Sequence, residues 1–468
     1  YDGLKPSQRK ILYSCFKRKL YSEIRVAQLA GYVSEHAAYH HGEASLQGAI
    51  IGMAQDYVGS NNINLLMPNG QFGTRIMGGH DSASPRYIHT ELNKIVDILY
   101  PPVDFPLLEY NDDDGIFVEP KFYVPIIPMV LVNGMNGIGT GFSTTIPMHD
   151  PIDVIKNMKH KIRSEQYSTM GPHYRDFIGK IVKVDKKNYI SKGKYEVIDE
   201  CSIRVTELPI GKWTDDYKKF LDGMIPDTGK KSKSLENDKG NSKAKQPKKT
   251  IIDYTNNSSD KTIDFVITFE KGFLNSLQWD EDENIDGIEK FFKLATTKGL
   301  SYNNIHLYNS KNQIHKYDNV YDIFDEFYKI RYELYIKRKE YLLNNLSNDL
   351  MILKSKMRFI TDVMEDKIKI YKQKRIDIIN DLLKNEYIHV RDGRVVEYSG
   401  DSGDSVNDSD TKHYDYLIKM SIYLFTEDEI EKLGEKILKL SEEHETLAKL
   451  SIEDIWLKEL DQLLDYLD

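Results

Sequence analysis

The sequence predicts an α+β multidomain protein: a helix-turn-helix or winged-helix domain, a mixed α/β domain, and a long antiparallel coiled coil carrying a small helical globule at its far end. Three observations predict it. Short helical patterns crowd the first hundred residues; runs of β-branched and aromatic residues broken by turns follow Pro147; and from about Val320 leucines recur at alternating spacings of three and four. The 468 residues suffice for about two to four domains. Hydrophobic residues make up 40% and charged residues 29%, the balance of a water-exposed chain with ordinary cores. No run approaches the roughly 18 apolar residues that a membrane span needs, so no membrane partner is expected. Cys15 and Cys201 lie far apart, which argues against a disulfide framework, excludes a cysteine-built zinc cluster and points to an intracellular setting. The chain opens Tyr-Asp-Gly-Leu-Lys with neither Met nor an apolar leader, so it is expected to be part of something longer.

A helix-turn-helix or winged-helix domain is expected over residues 1–147. Within Ser7 to Lys19, Ile11, Leu12, Cys15 and Phe16 share one helical side and bases take the other. Ser45 is positioned to cap a helix through Leu46, Ile50, Ile51, Met53 and Ala54. After the turn Asn69-Gly70 comes the glycine-rich loop Gln71 to Gly79, then a helix through Ile88, Leu92, Ile95 and Leu99. The second domain is expected over 148–318, with a meander of strands from Phe177 to Leu208 and a flexible basic insertion over 230–249, where eight lysines face Glu236 and Asp238. Residues 319–365 and 426–468 are expected to form the coiled-coil stalk. Its seams are Leu343, Leu346, Leu350, Leu353, Met357, Ile360 and Met364, and Ile430, Leu433, Ile437, Leu440, His444 and Leu447. Residues 366–425 then form the tip, with 398–410 too polar to pack and Ile422, Tyr423, Leu424 and Phe425 as a dimerisation patch.

Net charge is −9, which on average speaks against nucleic acid, yet seven Lys and Arg stand against two acids in the first 25 residues. Thirty-one tyrosines make any one a poor catalytic candidate without context. Arg-Tyr occurs at Arg86-Tyr87 and at Arg331-Tyr332, and only Tyr87 has a glycine-rich polar setting; Tyr332 lies in a long charged helix. A phenol is a weak nucleophile near neutral pH and needs cations to stabilise the phenolate and the charge developing on an attacked phosphate, which Arg86 can supply. His36, His40 and His41 admit three readings: metal ligands, satisfied structural histidines, or, for His40 or His41, phosphate binding or proton handling. The acidic runs 112–114 and 280–283 read as solvated loops rather than Mg²⁺ ligands, no metal site is assigned, and no GxxxxGK[ST] loop is present.

Asp2-Gly3-Leu4-Lys5-Pro6-Ser7-Gln8-Arg9-Lys10, Ala38-Tyr39-His40-His41-Gly42-Glu43, Pro68 through Arg75, and Arg86-Tyr87-Ile88-His89-Thr90-Glu91-Leu92 closely resemble the breakage-reunion region of eukaryotic-type (type IIA) DNA topoisomerase II. Leu131-Val132-Asn133-Gly134, Gly137 to Gly141, Thr206-Glu207-Leu208-Pro209 and Trp213-Thr214 extend the match along the chain. Short loops and an end soon after the coil look most like the African swine fever virus branch. The resemblance implies a winged-helix domain, a tower and a coiled coil ending in an exit gate, assembled as a homodimer on double-stranded DNA. It implies that Tyr87 attacks a phosphodiester and becomes linked to the 5′ phosphate, that Arg86 and His41 bind the scissile phosphate, that Lys5, Arg9, Lys10 and His40 contact DNA, and that Ile138 wedges between base pairs. The residues also leave Ile138 open as a core residue beneath the loop. Pro85 and His80 depart from the family pattern of a small residue and a lysine. Mg²⁺ and ATP are implied for the full-length enzyme, bound by modules outside this chain, so the chain alone is expected to lack ATP hydrolysis and to cleave poorly. The implied compartment is host cytoplasm for a viral protein and the nucleus for a cellular one. The competing reading is a non-catalytic architectural DNA-binding coiled-coil protein.

Overall fold

The computed structural model describes residues 1–225, 251–277, 284–397 and 410–467. The basic tract expected over 230–249, the acidic run 280–283 and residues 398–409 of the polar loop lie outside them. The described chain forms two compact units, residues 1–332 with 456–468, and residues 333–455.

The first unit opens with α1 (Pro6–Arg18), where Pro6 fits the first helical turn and the Gln8 side chain accepts from the Lys5 N–H at 2.9 Å. Lys19 ends the helix in a left-handed conformation (φ 52°). Ile11, Leu12 and Cys15 are fully buried, the stripe expected from their spacing. Strand β1 (Ile24–Arg25) leads into α2 (Val26–His36), followed by α3 (Glu43–Ala54). Ser45 does not cap α3: the helix starts after Gly42, and the Ser45 and Leu46 N–H groups donate to the Gly42 carbonyl. This places the Glu43 carboxylate at the positive end of the helix. The helix expected from Ile88 to Leu99 is confined to α4 (Ile95–Leu99). Ile88 and Leu92 are buried in extended backbone, because β2 (His89–Thr90) pairs with β1 and bridges join Leu66 to Leu92 and Asn69 to His89. Cross-chain partners claim the N–H groups that a helix would have used.

Hairpin β3 (Tyr110–Asp113) and β4 (Ile116–Pro120) forms a wing, and after α5 (Met129–Val132) a second hairpin follows, β5 (Met135–Gly139) with β6 (Phe142–Ile146). Asp150 caps α6 (Pro151–Ile162) by accepting from the Ile152 N–H. Strands β7 (Lys180–Lys183), β8 (Tyr189–Lys192), β9 (Lys194–Asp199) and β10 (Ser202–Glu207) do not form one meander. With α7 (Thr214–Asp222), β11 (Ile251–Asn256), β12 (Phe265–Phe269), α8 (Gly287–Phe291) and β13 (Ala295–Thr296), they divide into sheets ordered β13-β8-β7 and β11-β12-β10-β9. The chain switches sheets at Gly193, whose N–H donates to Leu294 O and where a Cβ would meet Glu207 O at 2.3 Å, so only glycine makes this corner. Ile203, Val205, Phe265, Ile267, Tyr217 and Leu221 form the core beneath the larger sheet. Hairpin β14 (His306–Tyr308) and β15 (Ile314–Lys316) precedes the 44-residue helix α9 (Tyr321–Met364).

The second unit holds most of α9, then α10 (Arg375–Lys384), hairpin β16 (His389–Arg391) and β17 (Arg394–Val396), α11 (Asp415–Ile418) and α12 (Glu427–Lys449). Leu343, Leu346, Leu350, Leu353, Met357 and Ile360 lie on the less exposed side of α9, whereas Met364 is 43% exposed. The six seam positions of α12 are likewise its covered side. Lys339 Nζ donates to the Ala448 and Leu450 carbonyls, and Phe359 packs its ring against Phe425 at 6.0 Å, so α9 and α12 run antiparallel. Phe359, Ile368, Ile379, Leu382, Tyr414 and Leu417 form a separate core at the tip. The segment expected as returning stalk is divided at Leu450-Ser451, and α13 (Ile452–Leu467) brings the chain back into the first unit. There Trp456 is fully buried, stacks on Tyr328 and donates Nε1–H to Ile126 O at 2.9 Å.

Candidate active site

Tyr87 stands on a tight turn with its ring 78% exposed, beside the exposed Arg86. Four backbone bonds fix that turn: Tyr87 N–H to Ser84 O, Ala27 N–H to Pro85 O, Val26 N–H to Ile88 O and Ala83 N–H to Gln71 O, all 2.9–3.1 Å. The nucleophile candidate is thus a solvent-facing side chain on a rigid support, with its neighbour Ile88 in the core. Pro85 suits the turn, since only its carbonyl is required there.

The support extends into the glycine-rich loop. Gly73, Gly78 and Gly79 all adopt positive φ, and a Cβ on Gly78 would lie 2.4 Å from the Trp213 ring. Gln55 Nε2 donates to Phe72 O and Gly79 O, and Asp81 accepts from the Thr74 N–H and hydroxyl. Arg75 forms a buried ion pair with Glu207, and its carbonyl accepts from the Thr214 N–H. Nothing near the loop in sequence points to Glu207 or Trp213 as its clamps.

His41 is exposed, with its ring edge-on to Tyr39 at 5.4 Å. His40 is also exposed and pairs with Asp113 at 3.1 Å. His36 stacks on Tyr32 at 3.9 Å with Nδ1 against Tyr32 O, so it is a satisfied structural histidine; α2 ends there, and Ala38 turns left-handed (φ 47°), so His36 and His40 share no helical face. The Tyr87 turn is bonded to the first residues of α2, while His40 and His41 follow the end of that helix. Asp112 and Asp113 end β3 and Asp114 begins its turn into β4, where Asp112 accepts from the Gly115 N–H.

The expected DNA-facing bases divide. Lys5 is exposed and lines a cavity of about 510 Å³ together with Gln8, Asn136, Trp213 and Lys298. Arg9 instead places Nε 2.6 Å from Asp2 Oδ2 and Nη2 against Asp2 Oδ1 and Leu4 O. Lys10 donates to Glu119 at 2.8 Å and to Ala37 O at 2.6 Å. Their charges are largely spent inside the protein. Ile138 is not a core residue: it is 92% exposed beside the Thr140-Gly141 turn of the β5–β6 hairpin, paired with Ser143. The second Arg-Tyr is structural, with Arg331 fully buried against Asp104 and Val124 O and Tyr332 stacked on Tyr328. Among the described residues no group of three or more His, Cys, Asp or Glu could hold a metal ion, and no helix is long and apolar enough to cross a membrane.

Residues 1–461 match the family of the A-type subunit of DNA gyrase/topoisomerase IV. The chain is 41% identical, over 99% of its length and 31% of the relative's, to DNA topoisomerase 2 of Arabidopsis thaliana. It is 37% identical to DNA topoisomerase 2 of Acanthamoeba polyphaga mimivirus, over all of this chain and 39% of that protein. The crystal structure of the Plasmodium falciparum topoisomerase II DNA-binding, cleavage and re-ligation domain superposes with a TM-score of 0.85 at 37% identity, covering 99% of this chain and 61% of that one. The chain therefore spans about a third of the length of the curated relatives it matches.

Proposed function

Because the chain belongs to the family of the DNA gyrase/topoisomerase IV A-type subunit, the breakage-reunion region of the type II DNA topoisomerases, we propose that it cuts and rejoins double-stranded DNA through Tyr87. The phenolic oxygen attacks a backbone phosphorus, an O–P bond forms, and the P–O3′ bond breaks. A 5′-phosphotyrosyl link and a free 3′-hydroxyl result, and attack by that hydroxyl reverses the step. Because the phosphotyrosyl bond conserves the energy of the bond broken, rejoining needs no external energy. Arg86 and His41 stabilise charge on the scissile phosphate, Lys5 holds the backbone, and Ile138 inserts between base pairs to bend the duplex. Each of two protomers cuts one strand, and a second duplex passes through the gap before religation, which relaxes and decatenates DNA.

The observation that carries this reading is a highly exposed tyrosine, next to an exposed arginine, on a turn held by four backbone hydrogen bonds. The family generally uses Mg²⁺ and ATP; the described residues offer no group of three His, Cys, Asp or Glu for a metal. Both belong, in this proposal, to other modules of the complete enzyme. The short loops favour a viral origin, which places the protein in host cytoplasm; a cellular origin places it in the nucleus. The architectural alternative gains nothing from the comparisons.

Replacing Tyr87 with Phe keeps the ring and removes the nucleophile. DNA binding is expected to persist while covalent DNA adduct, measured after denaturing the complete enzyme with Mg²⁺ and labelled DNA, disappears. Arg86→Ala and His41→Ala are expected to slow cleavage by about 10² to 10³ with much smaller losses in affinity. Adduct at the wild-type level in Tyr87→Phe would sink the assignment.

A further inference from the structure

The hairpin that presents Ile138 has only two strands, and such a ribbon alone is marginally stable in water. Prising a base step apart costs a few kcal/mol, so a wedge on a yielding support would fold back rather than enter. The support comes from a segment far away in sequence. Asn304 O accepts from the Thr145 N–H at 2.8 Å, and Asn304 Nδ2 donates to Ser143 Oγ at 2.9 Å. The His306 N–H donates to Thr144 Oγ1 at 3.3 Å, and the His306 ring meets Phe142 edge-on at 5.8 Å. His306 Nδ1 lies 3.0 Å from both Ser143 O and Asn304 Oδ1. Both neighbours are acceptors, so Nδ1 carries the proton and bridges them. Ser143 is the cross-strand partner of Ile138, so the bridge grips the hairpin directly opposite the wedge.

The brace is itself anchored. Ile305, between the two bracing residues, is fully buried; its carbonyl accepts from the Tyr317 N–H, and β14 pairs with β15. Its inner end is therefore core and its outer end hairpin.

We propose that His306 is a positioning residue for DNA bending: through Nδ1 and its ring it stiffens the β5–β6 hairpin so that Ile138 can unstack a base step. This rests on the reading of Ile138 as the wedge, and the experiment separates the two. Bending is followed by energy transfer across an end-labelled duplex at saturating protein, alongside affinity and thermal melting, for Ile138→Ala, His306→Ala and the double variant. His306→Asn, whose amide can still donate to Ser143 O, is carried in parallel. His306→Ala is expected to lower the bent-to-straight ratio about fivefold, the effect of one lost hydrogen bond, with affinity and melting little changed. His306→Asn should recover most of it, and the double variant should bend no less than Ile138→Ala, since a brace is useless without its wedge. Wild-type bending in His306→Ala with bending lost in Ile138→Ala overturns the brace. Wild-type bending in Ile138→Ala overturns the wedge, and the proposal with it. Should His306→Ala fail to fold, His306→Asn decides alone against His306→Gln, whose longer side chain cannot hold the same donor position: equal bending in the two overturns the proposal.

Discussion

Arg9 and Lys10 lie in a stretch that reads as a basic DNA-facing surface, yet both charges are turned inward. Arg9 makes a two-pronged contact with Asp2, whose side chain is 3% exposed and also accepts from the Leu4 and Tyr123 N–H groups. Arg9→Ala would leave that carboxylate buried and uncompensated, and is expected to cost about 3 kcal/mol in urea unfolding while the salt dependence of DNA binding keeps its slope. Lys5→Ala should do the reverse: stability unchanged and the slope of log affinity against log salt reduced by about one. Wild-type stability with a diminished slope in Arg9→Ala would return that residue to the DNA surface. The contrast marks what was legible. Arg86-Tyr87, His40-His41 and the glycine loop are local patterns, and their neighbours along the chain suffice to single them out. The partner of Lys10, Glu119, lies 109 residues away, and no local pattern announces an ion pair made across the fold. The same holds for Glu207 and Trp213 as clamps of the glycine-rich loop, and for His306.

At the level of elements, long-range periodicity was readable and short apolar runs were not. The α9 and α12 seams face inward because a spacing of three and four over many turns admits only one covered side. Ile88 and Leu92 have helical spacing too, but two bridges and a strand pair captured their backbone, and four apolar residues carry too little information to foresee that. In the same way, the strands from β7 to β10 were visible individually, whereas their division between two sheets depends on β11, β12 and β13, which arrive much later. At the tip, residues Ile422–Leu424 form a short 3₁₀ turn that leaves Ile422 68% and Tyr423 67% exposed, while Leu424 and Phe425 are half-buried. Two adjacent large apolar side chains in water favour a self-contact, so the tip is proposed as an openable dimer gate. Replacing both Ile422 and Tyr423 with Asp is expected to give a folded monomer in analytical ultracentrifugation, whereas the unaltered chain is expected to dimerise as concentration rises. A double variant that still sediments as a dimer would place the gate elsewhere.

For the molecule as a whole, acid should loosen the first unit through one histidine. His149 is fully buried, donates Nδ1–H to Leu131 O at 3.0 Å and accepts at Nε2 from the Tyr302 hydroxyl at 2.7 Å. Burial pushes its pKa down from 6.5 to about 4. The folded value lies below the unfolded one, so the unfolded chain takes up the proton first. The stability involved is complete above about pH 6.5 and is lost as pH falls towards 4, at about 1.4 kcal/mol per pH unit. Urea unfolding at pH 7 and pH 5 should show that loss in the wild type and a flatter dependence in His149→Gln; equal slopes would assign the acid sensitivity to other groups. The return of α13 has a consequence of another kind. Trp456, Leu460 and Leu463 are fully buried in a unit whose other residues end at 332, with residues 333–455 spliced between as a unit of their own. On the ribosome that inserted unit can close its core as soon as its own residues emerge, whereas the first must wait, its seat for the Trp456 indole open beside Ile126 and Tyr328. Of these two units, the one whose synthesis starts first is the one completed last.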